Sequence, residues 1–589
     1  MQKLCSFVVT WGAAIVFTVG VAKADVARFS PFDDRRVATQ AELSVHTSSS
    51  PSGGVLRQAL VGGFDTLNTM VFPASTPSTL WFTQDSLLVR SGRVPATYYG
   101  LLAETFEVAA DFSQVRVVLD PAARWHDGTA VTAWDVEFTF ATSLRNAGPN
   151  IRRALGSVSV EVVDDQTLIF SAKSRNDWQW ITLVGGIAMQ SKAHWAGLDP
   201  SEGTLVPPLG SGPYVVSDVE PGRRFNLVRV PEYWAKNHPV NAHRWNFDEI
   251  QTEYFFDVTP VVELVRRGDI DVWRETDPTR WRHAFEGPAL QDGALVRTAF
   301  RNEETVIIPA LVFNLRRPAM ADIRVRRALS IVLDPAWFHE FNGGVFEPTE
   351  SIYGSLRTAA NGPPSERERA LLSPFADVLK DGFLTEKAAA VSPIDTPQRV
   401  RRRLALKLLE DAGYALVDGR QTDPATGEVL QLDLVTNSAE YLKMLDPYST
   451  WLSQIGVALN VRLLDPAESR AVLFTEKDFD ITTFDWRAAV LPGRMEKFLW
   501  HSSFSVAGIG FAGLESDVAD ALIDTMNQSL DEDQIVAAAQ AFDRYLRWNA
   551  LMVPFWQNSE IWYVHGSQYY LPPGFDPNTH PAIYWKKSD

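Results

Sequence analysis

The fold class is decided by the stretch Ser113-Gln-Val-Arg-Val-Val-Leu119, which is followed by the pairs Asp120-Pro121 and Asp127-Gly128 and by Thr132-Ala-Trp-Asp135. Apolar residues alternate through the first segment, as is typical of a half-buried strand. The two pairs are turn formers, and Thr132 and Asp135 have the spacing of a helix capping box. The apolar face of that helix repeats at Val136, Phe140 and Leu144. The stretch therefore predicts a strand, a turn and a helix in succession.

Strand and helix patterns also alternate in the C-terminal half of the chain. Strand patterns occupy 430–435, 457–464 and 480–484, and helical patterns lie around 440–454 and 466–475. Further elements are predicted at 55–61, 396–413, 553–556 and 561–564. Strands separated by helices indicate βαβ units and a mainly parallel sheet. We therefore predict an α/β protein.

The composition is that of a large, acidic, globular protein. Among 589 residues, 46% are hydrophobic and 22% are charged, which is enough apolar material for sizeable cores and too little charge for a disordered chain. Lys and Arg number 55 against 72 Asp and Glu, so the formal net charge is −17. This charge opposes binding to nucleic acids and to anionic lipids. We expect no nucleic-acid partner.

The N-terminal segment has the pattern of a cleavable signal peptide. Lys3 makes the start positive, 4–21 is uncharged and mostly apolar, and Ala22-Lys-Ala24 is a small-residue cleavage site. We predict a signal peptide over 1–24, cut between Ala24 and Asp25, and export to the periplasm. The alternative is a membrane anchor, because the 18 residues of 4–21 approach the ~20 that span a bilayer. The single cysteine, Cys5, lies in this segment, so no disulfide is expected in the mature chain.

Motifs for enzyme, cofactor or metal chemistry are weak or missing from the sequence. The segment Gly508-Ile-Gly-Phe-Ala-Gly513 matches G-x-G-x-x-G, but it follows a polar, irregular stretch and not the apolar strand of a dinucleotide site. There is no G-x-S-x-G, H-E-x-x-H or G-x-x-x-x-G-K-[ST], and the ten histidines are scattered. We expect no cofactor, no metal and no enzyme activity. The alternative that two of the 72 acidic residues form a catalytic pair for hydrolysis stays open.

Six segments, spread in order along the chain, carry a family resemblance. They are Leu101-Leu-Ala-Glu-Thr-Phe106, Trp125-His-Asp-Gly-Thr-Ala-Val-Thr-Ala-Trp-Asp-Val-Glu-Phe138, Gly210-Ser-Gly-Pro-Tyr214, Pro231-Glu-Tyr-Trp234, Phe313-Asn-Leu-Arg-Arg-Pro318 and Asp322-Ile-Arg-Val-Arg-Arg-Ala-Leu329. Together they resemble the family 5 extracellular solute-binding proteins, the oligopeptide- and dipeptide-binding group of ABC importers. The resemblance extends from about 53 to the C-terminus.

A finer resemblance is to the microcin C/oligopeptide-binding subgroup. It is carried by Gly63-Phe-Asp-Thr-Leu-Asn68, Asp85-Ser-Leu-Leu-Val-Arg-Ser91, Val240-Asn-Ala-His-Arg-Trp-Asn-Phe-Asp-Glu249 and Leu491-Pro-Gly493. It implies ligands such as oligopeptides, peptide conjugates or murein peptides. The region 25–51 departs from the subgroup, so contacts made there cannot be carried over.

The family resemblance also implies the architecture. The expected fold is the class II, cluster C periplasmic binding protein fold, with two α/β lobes and an extra inserted domain. The expected bounds are 25–75, 205–315 and 552–589 for lobe 1, 76–204 for the extra domain and 316–551 for lobe 2. Glycines in Gly210-Ser-Gly-Pro-Tyr214 suit a close backbone approach, although an ordinary turn fits the same residues.

The resemblance implies several ligand-contacting residues. Asn314 matches a position whose amide meets the ligand backbone, with a turn former as the alternative. Trp486 lies in Thr483-Phe-Asp-Trp-Arg487, which resembles a cleft wall, with a buried structural Trp as the alternative. The remaining candidates are Asp485, Arg487, Ser75, Thr76 and Asn558. Strand alternation predicts that Asp485 and Trp486 point to opposite faces.

One departure concerns the ligand's free amine. In oligopeptide- and dipeptide-binding relatives, an Asp three residues after the tryptophan pairs with the ligand α-ammonium, and here that position is Ala489. A free peptide N-terminus is therefore not expected to dominate binding.

The resulting functional prediction is a receptor of an ABC importer. It would capture oligopeptides or peptide-like ligands between its lobes and deliver them to inner-membrane permease subunits, as a monomer. The alternatives are a secreted hydrolase of peptide or murein fragments and a chaperone-like interaction protein.

Overall fold

A computed structural model of the chain describes residues 26–33, 35–43, 53–92, 94–173, 177–388, 391–393, 396–506, 510, 512–570 and 578–587. The predicted signal segment, with Cys5, lies outside these residues. So do three of the six residues of Gly508-Ile-Gly-Phe-Ala-Gly513. Within the described ranges, no helix has the length and apolar character needed to cross a bilayer.

The chain divides into two compact units and passes between them four times. Unit 1 contains 1–274, 285–298 and 563–589, and unit 2 contains 275–284 and 299–562. The expected division into two lobes and an extra domain stays a prediction.

A seven-stranded sheet organises unit 1. Its strand order is Leu295–Arg301, Glu560–Gly566, Val272–Glu275, Val55–Val61, Glu249–Phe255, Arg224–Arg229 and Tyr214–Glu220. The central strand, Val55–Val61, runs parallel to both of its neighbours. The first three strands in this order contain passages between the units.

A four-stranded antiparallel sheet in unit 1 contains the stretch that opened the sequence analysis. Its order is Ala103–Val108, Gln114–Leu119, Thr167–Ala172 and Val158–Val162. The predicted strand is Gln114–Leu119 and the predicted helix is Ala133–Asn146, which begins at a capping box. There the Asp135 carboxylate accepts hydrogen bonds from the N–H and the hydroxyl of Thr132, both at 2.9 Å. The strand–turn–helix prediction is confirmed.

The remaining elements of unit 1 are short. The other helices are Gln40–Leu43, Leu80–Thr83, Pro149–Leu155, Gln179–Gly185, Lys192–Trp195, Pro239–Asn241, Thr259–Arg267, Pro288–Gln291 and Pro581–Tyr584. Small sheets join Arg28–Phe29, Tyr98–Gly100 and Leu88–Arg90, and Tyr569–Tyr570 with Lys586–Lys587.

Two glycines of unit 1 allow a close backbone approach. A Cβ at Gly210 would lie 1.8 Å from the carbonyl oxygen of Thr83, and one at Gly212 would lie 2.5 Å from that of Phe82. No side chain fits there, so the close-approach interpretation of this motif is confirmed.

A five-stranded sheet organises unit 2. Its order is Ala458–Leu463, Gln431–Thr436, Ile481–Ala489, Thr305–Phe313 and Met552–Pro554. The first three strands are parallel, as predicted, and Thr305–Phe313 is antiparallel to both of its neighbours. The predicted third strand ended at 484, whereas the observed strand continues to Ala489. The extension exists because that end pairs with Thr305–Phe313, which is distant in sequence.

Helices cover this sheet and enclose its core. They are Pro278–His283, Pro318–Ala321, Ile323–Ile331, Pro335–Phe341, Glu366–Leu372, Ser373–Phe375, Gln398–Asp411, Ala439–Met444, Asp446–Ser453, Pro466–Ala471, Val472–Glu476, Arg494–Trp500, Ser502–Val506, Asp517–Gln528 and Glu532–Trp548. Two-stranded pairs are Glu347–Pro348 with Trp556–Gln557 and Ala415–Val417 with Arg420–Thr422. The core includes Leu311, Phe313, Leu329, Leu434 and Ile481.

Candidate functional site

The candidate site of unit 2 lies at the carboxyl end of its parallel strands. Strand Gln431–Thr436 pairs with Ile481–Ala489 only through Leu434 opposite Ile481 and Val435 opposite Thr482. The second half of Ile481–Ala489 therefore projects past the end of its parallel neighbour. In open α/β sheets, ligands bind outside the carboxyl ends of the strands. Most of the candidate residues from the sequence lie on this projecting segment or beside it.

Side chains alternate along the projecting segment. Trp486 is fully buried, whereas Asp485 and Arg487 are exposed, so the predicted alternation is confirmed. Trp486 stands opposite Ile308 on the buried side of the sheet. Its indole N–H has no hydrogen-bond partner among the residues described. This burial matches the structural alternative for Trp486, and its contact with a ligand stays a prediction.

The opposite side of the same strands forms a partly exposed surface, here called the open face. It consists of Asp485, Arg487, Ala489, Thr305, Ile307 and Asn558. Ile307 lies at its centre, directly opposite Arg487 on one side and bridged to Asn558 on the other. The structure thus brings together three residues that were predicted separately from the sequence: Asp485, Arg487 and Asn558.

Acidic groups gather at one end of the open face. The hydroxyl of Tyr441 donates a hydrogen bond to the Asp485 carboxylate, and its ring lies 6.5 Å from that of Trp556. Partial burial and the neighbouring carboxylates Asp277 and Asp485 raise the pKa of Glu440. This end of the face therefore favours cationic or hydrogen-bond-donating groups.

Arg280 and Lys443 are basic residues beside this acidic end. The guanidinium of Arg280 contacts Glu275 at 2.9 Å and Asp277 at 3.7 Å. The Arg280 guanidinium is therefore already paired with carboxylates of the protein. Arg487 has no such contact among the residues that the structure describes.

Asn314 lies at the other end of the sheet. It follows strand Thr305–Phe313, whose last residue pairs with Ile481. At ~3.3 Å per residue it is about 23 Å along the strand from Ile307. Its amide group donates to the carbonyl oxygens of Lys477 at 3.2 Å and Phe479 at 2.9 Å, and the side chain is fully buried. Asn314 therefore holds a turn in place, and its predicted ligand contact stays a prediction.

Unit 1 has a corresponding edge, where the parallel strands Val55–Val61 and Glu249–Phe255 both end. Ser75 lies in the loop system of this edge: its hydroxyl donates to the carbonyl oxygen of Gly63 at 2.7 Å. Thr76 follows it and is partly exposed. Phe256, just after the second strand, is 99% exposed. A fully exposed phenylalanine at a strand's carboxyl end was not among the sequence candidates.

The sequence candidates omit four residues that the structure places at these edges. They are Glu440, Tyr441, Ile307 and Phe256. A sequence signal existed for two of them, because Glu440 and Tyr441 follow a strand predicted at 430–435 to be parallel. Ile307 lies in a strand, and Phe256 just after one, whose pairing the local pattern does not reveal.

Among the described residues, no group of three or more His, Cys, Asp or Glu side chains has the arrangement that would hold a metal ion.

Comparison with a family model gives a match over most of the chain. The model of the bacterial extracellular solute-binding proteins, family 5 (middle region), matches residues 97–507.

Two curated relatives match most of the chain. A probable peptide-binding protein, YejA, from Agrobacterium fabrum is 29% identical and covers 88% of this chain and 86% of its own length. A peptidoglycan-binding protein, YepA, from the same organism is 30% identical and covers 87% of this chain and 86% of its own length.

A solved structure shares the fold. The oligopeptide-binding protein AppA from Bacillus subtilis, in complex with a nonapeptide, aligns with a TM-score of 0.67. It covers 92% of this chain and 100% of its own, at 15% sequence identity. The predicted class II periplasmic binding protein fold is therefore confirmed.

Proposed function

Because the chain belongs to the bacterial extracellular solute-binding proteins of family 5, which are ligand receptors of ABC transporters and not enzymes, we propose that its ligand is a peptide or peptide-like molecule. The receptor binds this ligand outside the cell membrane and delivers it to the permease of an importer. Murein-derived peptides and peptide conjugates belong to the same ligand class.

One observation in the structure carries the proposal: the open face of unit 2. It offers a carboxylate at Asp485, a guanidinium at Arg487, a carboxamide at Asn558 and an apolar surface at Ile307. A peptide presents amide donors and acceptors, charged groups and aliphatic side chains, so each of these four groups has a counterpart in it. The names of the two relatives, one peptide-binding and one peptidoglycan-binding, support the same ligand class.

The proposed binding residues follow from the two edges. In unit 2 they are Asp485, Arg487 and Asn558, and in unit 1 they are Ser75 and Thr76. Ser75 would act through its hydroxyl oxygen, since the hydroxyl hydrogen already bonds Gly63 and the backbone N–H and carbonyl bond Asp65. Trp486 and Asn314 would act indirectly, by holding the sheet and its turn.

Family 5 receptors are exported, periplasmic proteins, and the proposal assigns this chain the same location. Cleavage after Ala24 would release the mature receptor, which would act as a monomer and deliver its ligand to inner-membrane permease subunits. Two measurements test this part: the N-terminal sequence of protein isolated from periplasmic extract, and its mass in solution. A membrane-retained chain that still carries 1–24 would contradict it.

The decisive experiment identifies the ligand. The protein is purified under native conditions, and whatever dissociates on denaturation is identified by mass spectrometry. We expect peptides or muropeptides, and adding them back to stripped protein should raise its melting temperature. The proposal would be contradicted if the protein released only sugars or metal chelates, or no ligand at all, and if no peptide raised its melting temperature.

The same experiment separates the other hypotheses from a receptor. Peptides recovered intact after long incubation are expected from a receptor, whereas a hydrolase would release fragments. The family assignment argues against the hydrolase. Preferential binding of unfolded proteins over short peptides would favour the chaperone-like role.

A further inference from the structure

Arg487 stands at a place where a ligand can reach it. It is exposed, it lies on the part of strand Ile481–Ala489 that projects past the parallel neighbour, and it is directly opposite Ile307. The side chains on either side of it along the strand, Trp486 and Ala488, point to the buried side. Arg487 therefore projects from the open face beside its central residue, Ile307.

Among the described residues, no carboxylate forms an ion pair with the Arg487 guanidinium. Asp485 is the acidic residue nearest to it on the same face, but its carboxylate accepts the hydroxyl of Tyr441 and forms no ion pair with Arg487. The two residues are separated by one position, so their backbones are about 7 Å apart. Arg280, in contrast, is held by Glu275 and Asp277.

Asn558 contributes a second donor on the far side of Ile307. Its side-chain oxygen accepts the N–H of Glu560 at 3.0 Å, which fixes the orientation of the carboxamide. The NH₂ group has no acceptor among the described residues, and the side chain is partly exposed. Neighbouring strands are ~4.8 Å apart, so the backbones of Arg487 and Asn558 stand about 10 Å apart with Ile307 between them.

The Arg487 guanidinium and the Asn558 NH₂ group are hydrogen-bond donors on either side of Ile307, and they determine which ligand group can bind there. Both groups can only donate hydrogen bonds, so the complementary ligand group is one that can only accept them. An ionised carboxylate has this property, and its two oxygens match the planar fork of a guanidinium. The residues next to Arg487 on the side away from Asp485, Ile307 and Ala489, are uncharged, and the Asp485 carboxylate is bonded by the Tyr441 hydroxyl.

We propose that the open face selects ligands that present a carboxylate to Arg487 and Asn558. The inference rests on the proposed function, because it names a subclass of the peptide ligands. The carboxylate comes either from an acidic side chain or from the free C-terminus of a peptide, and the two sources share the same recognition chemistry.

The test uses matched peptides and calorimetry on the mature, ligand-stripped protein. The peptides are alanine tetrapeptides with one Glu at each position in turn, their Gln counterparts, and both sets with a free or amidated C-terminus. Glu against Gln probes a side-chain carboxylate, and acid against amide probes the terminal one. The variants are Arg487→Gln, Arg487→Lys and, as control, Arg420→Gln, which changes an exposed strand arginine of the Arg420–Thr422 hairpin.

The expected result is discrimination that depends on Arg487. In the native protein, loss of the recognised carboxylate should weaken binding about tenfold to a hundredfold, the range of a charge-assisted hydrogen bond. Arg487→Gln should abolish that discrimination, Arg487→Lys should keep part of it because lysine lacks the fork, and Arg420→Gln should keep all of it.

Two results would overturn the inference in distinguishable ways. Peptides that bind with equal affinity whether or not they carry a carboxylate, or discrimination that persists in Arg487→Gln, would refute it and leave the peptide receptor standing. Failure of every peptide to bind would refute the proposed function and the inference together. Because Arg487 is exposed, each variant is expected to melt like the native protein, and its melting curve is the check.

Discussion

Trp486 and Ile308 face each other across two antiparallel strands on the buried side of the unit 2 sheet, while their neighbours Arg487 and Ile307 face each other on the open side. The same pair of strands therefore builds part of the core with one face and presents the candidate ligand groups with the other. Rigid support of this kind keeps binding groups in a fixed arrangement.

Replacement of Trp486 by alanine is expected to destabilise unit 2. The ring is fully buried, so its removal leaves a large cavity, at a cost of ~3–5 kcal/mol in the free energy of unfolding. Chemical denaturation measures the loss. Trp134→Ala is the control, because Trp134 is 47% exposed, and it should change stability far less. An apo Trp486→Ala protein with native stability and weakened ligand binding would instead place the ring in a cleft.

Loss of one partner of the buried ion pair Arg544–Glu368 is expected to lower the free energy of unfolding strongly. Their closest atoms are 3.1 Å apart, and the side chains are 0% and 4% exposed. Glu368→Gln leaves the buried guanidinium without its counter-charge and should cost ~3 kcal/mol. Asp411→Asn is the control, because its pair with Lys407 is largely exposed, and it should have little effect. Equal denaturation midpoints for the two variants would contradict the expectation.

Asp85 is expected to make the stability of unit 1 depend on pH. Its buried carboxylate accepts hydrogen bonds from the Tyr233 hydroxyl at 2.9 Å and the Trp234 indole at 2.8 Å, and burial raises its pKa to about 7. A raised carboxyl pKa means that the folded state favours the protonated form. Stability is therefore highest below the unfolded pKa of ~3.9, falls as the pH rises towards 7, and then levels off.

The corresponding measurement compares the native protein with Asp85→Asn. The native protein should lose ~3–5 kcal/mol relative to the variant between pH 4 and pH 8, because the variant cannot ionise. Chemical denaturation at several pH values gives the free energy of unfolding of each protein. In the difference between the two values, the contributions of all other titrating groups cancel. A difference that stays constant over this range would show that the carboxylate is ionised throughout.

Acetylation of a ligand's N-terminus is expected to be tolerated. The position of the usual carboxylate partner is Ala489, which shares the open face with Asp485 but stands about 13 Å along the strand from it. Calorimetry with one peptide in free and acetylated forms tests this. A loss of more than ~2 kcal/mol on acetylation would show that another carboxylate, with Asp485 and Glu440 as the nearest candidates, holds the amine.

The sequence predicted local features better than distant pairings. The capping box at Thr132 and Asp135 and the alternation of Asp485 and Trp486 follow from spacing alone, and both are present. The extension of the third parallel strand to Ala489 depends on pairing with a strand that precedes it by more than a hundred residues, which no local pattern encodes.

The candidate site residues also show this difference between local patterns and distant pairings. Asp485, Arg487 and Asn558 were predicted separately, and only the register of three strands shows that they share one face around Ile307. Asn314, which directly follows the strand that contains Ile307, lies at the opposite end of that strand and donates to the carbonyl oxygen of Phe479. Burial, which decides whether Trp486 packs or binds, also depends on residues that are remote in sequence.

The passage of the chain between its units determines the order in which the protein can become folded. The seven-stranded sheet places Val55–Val61, near one end of the chain, in the same sheet as Glu560–Gly566, near the other. That sheet cannot be completed until the final strand has emerged from the ribosome, and such long-range pairing forms slowly. A newly made chain therefore remains open for a long interval. Until then, the strands Leu295–Arg301 and Val272–Glu275 lack the strand that joins them in the sheet.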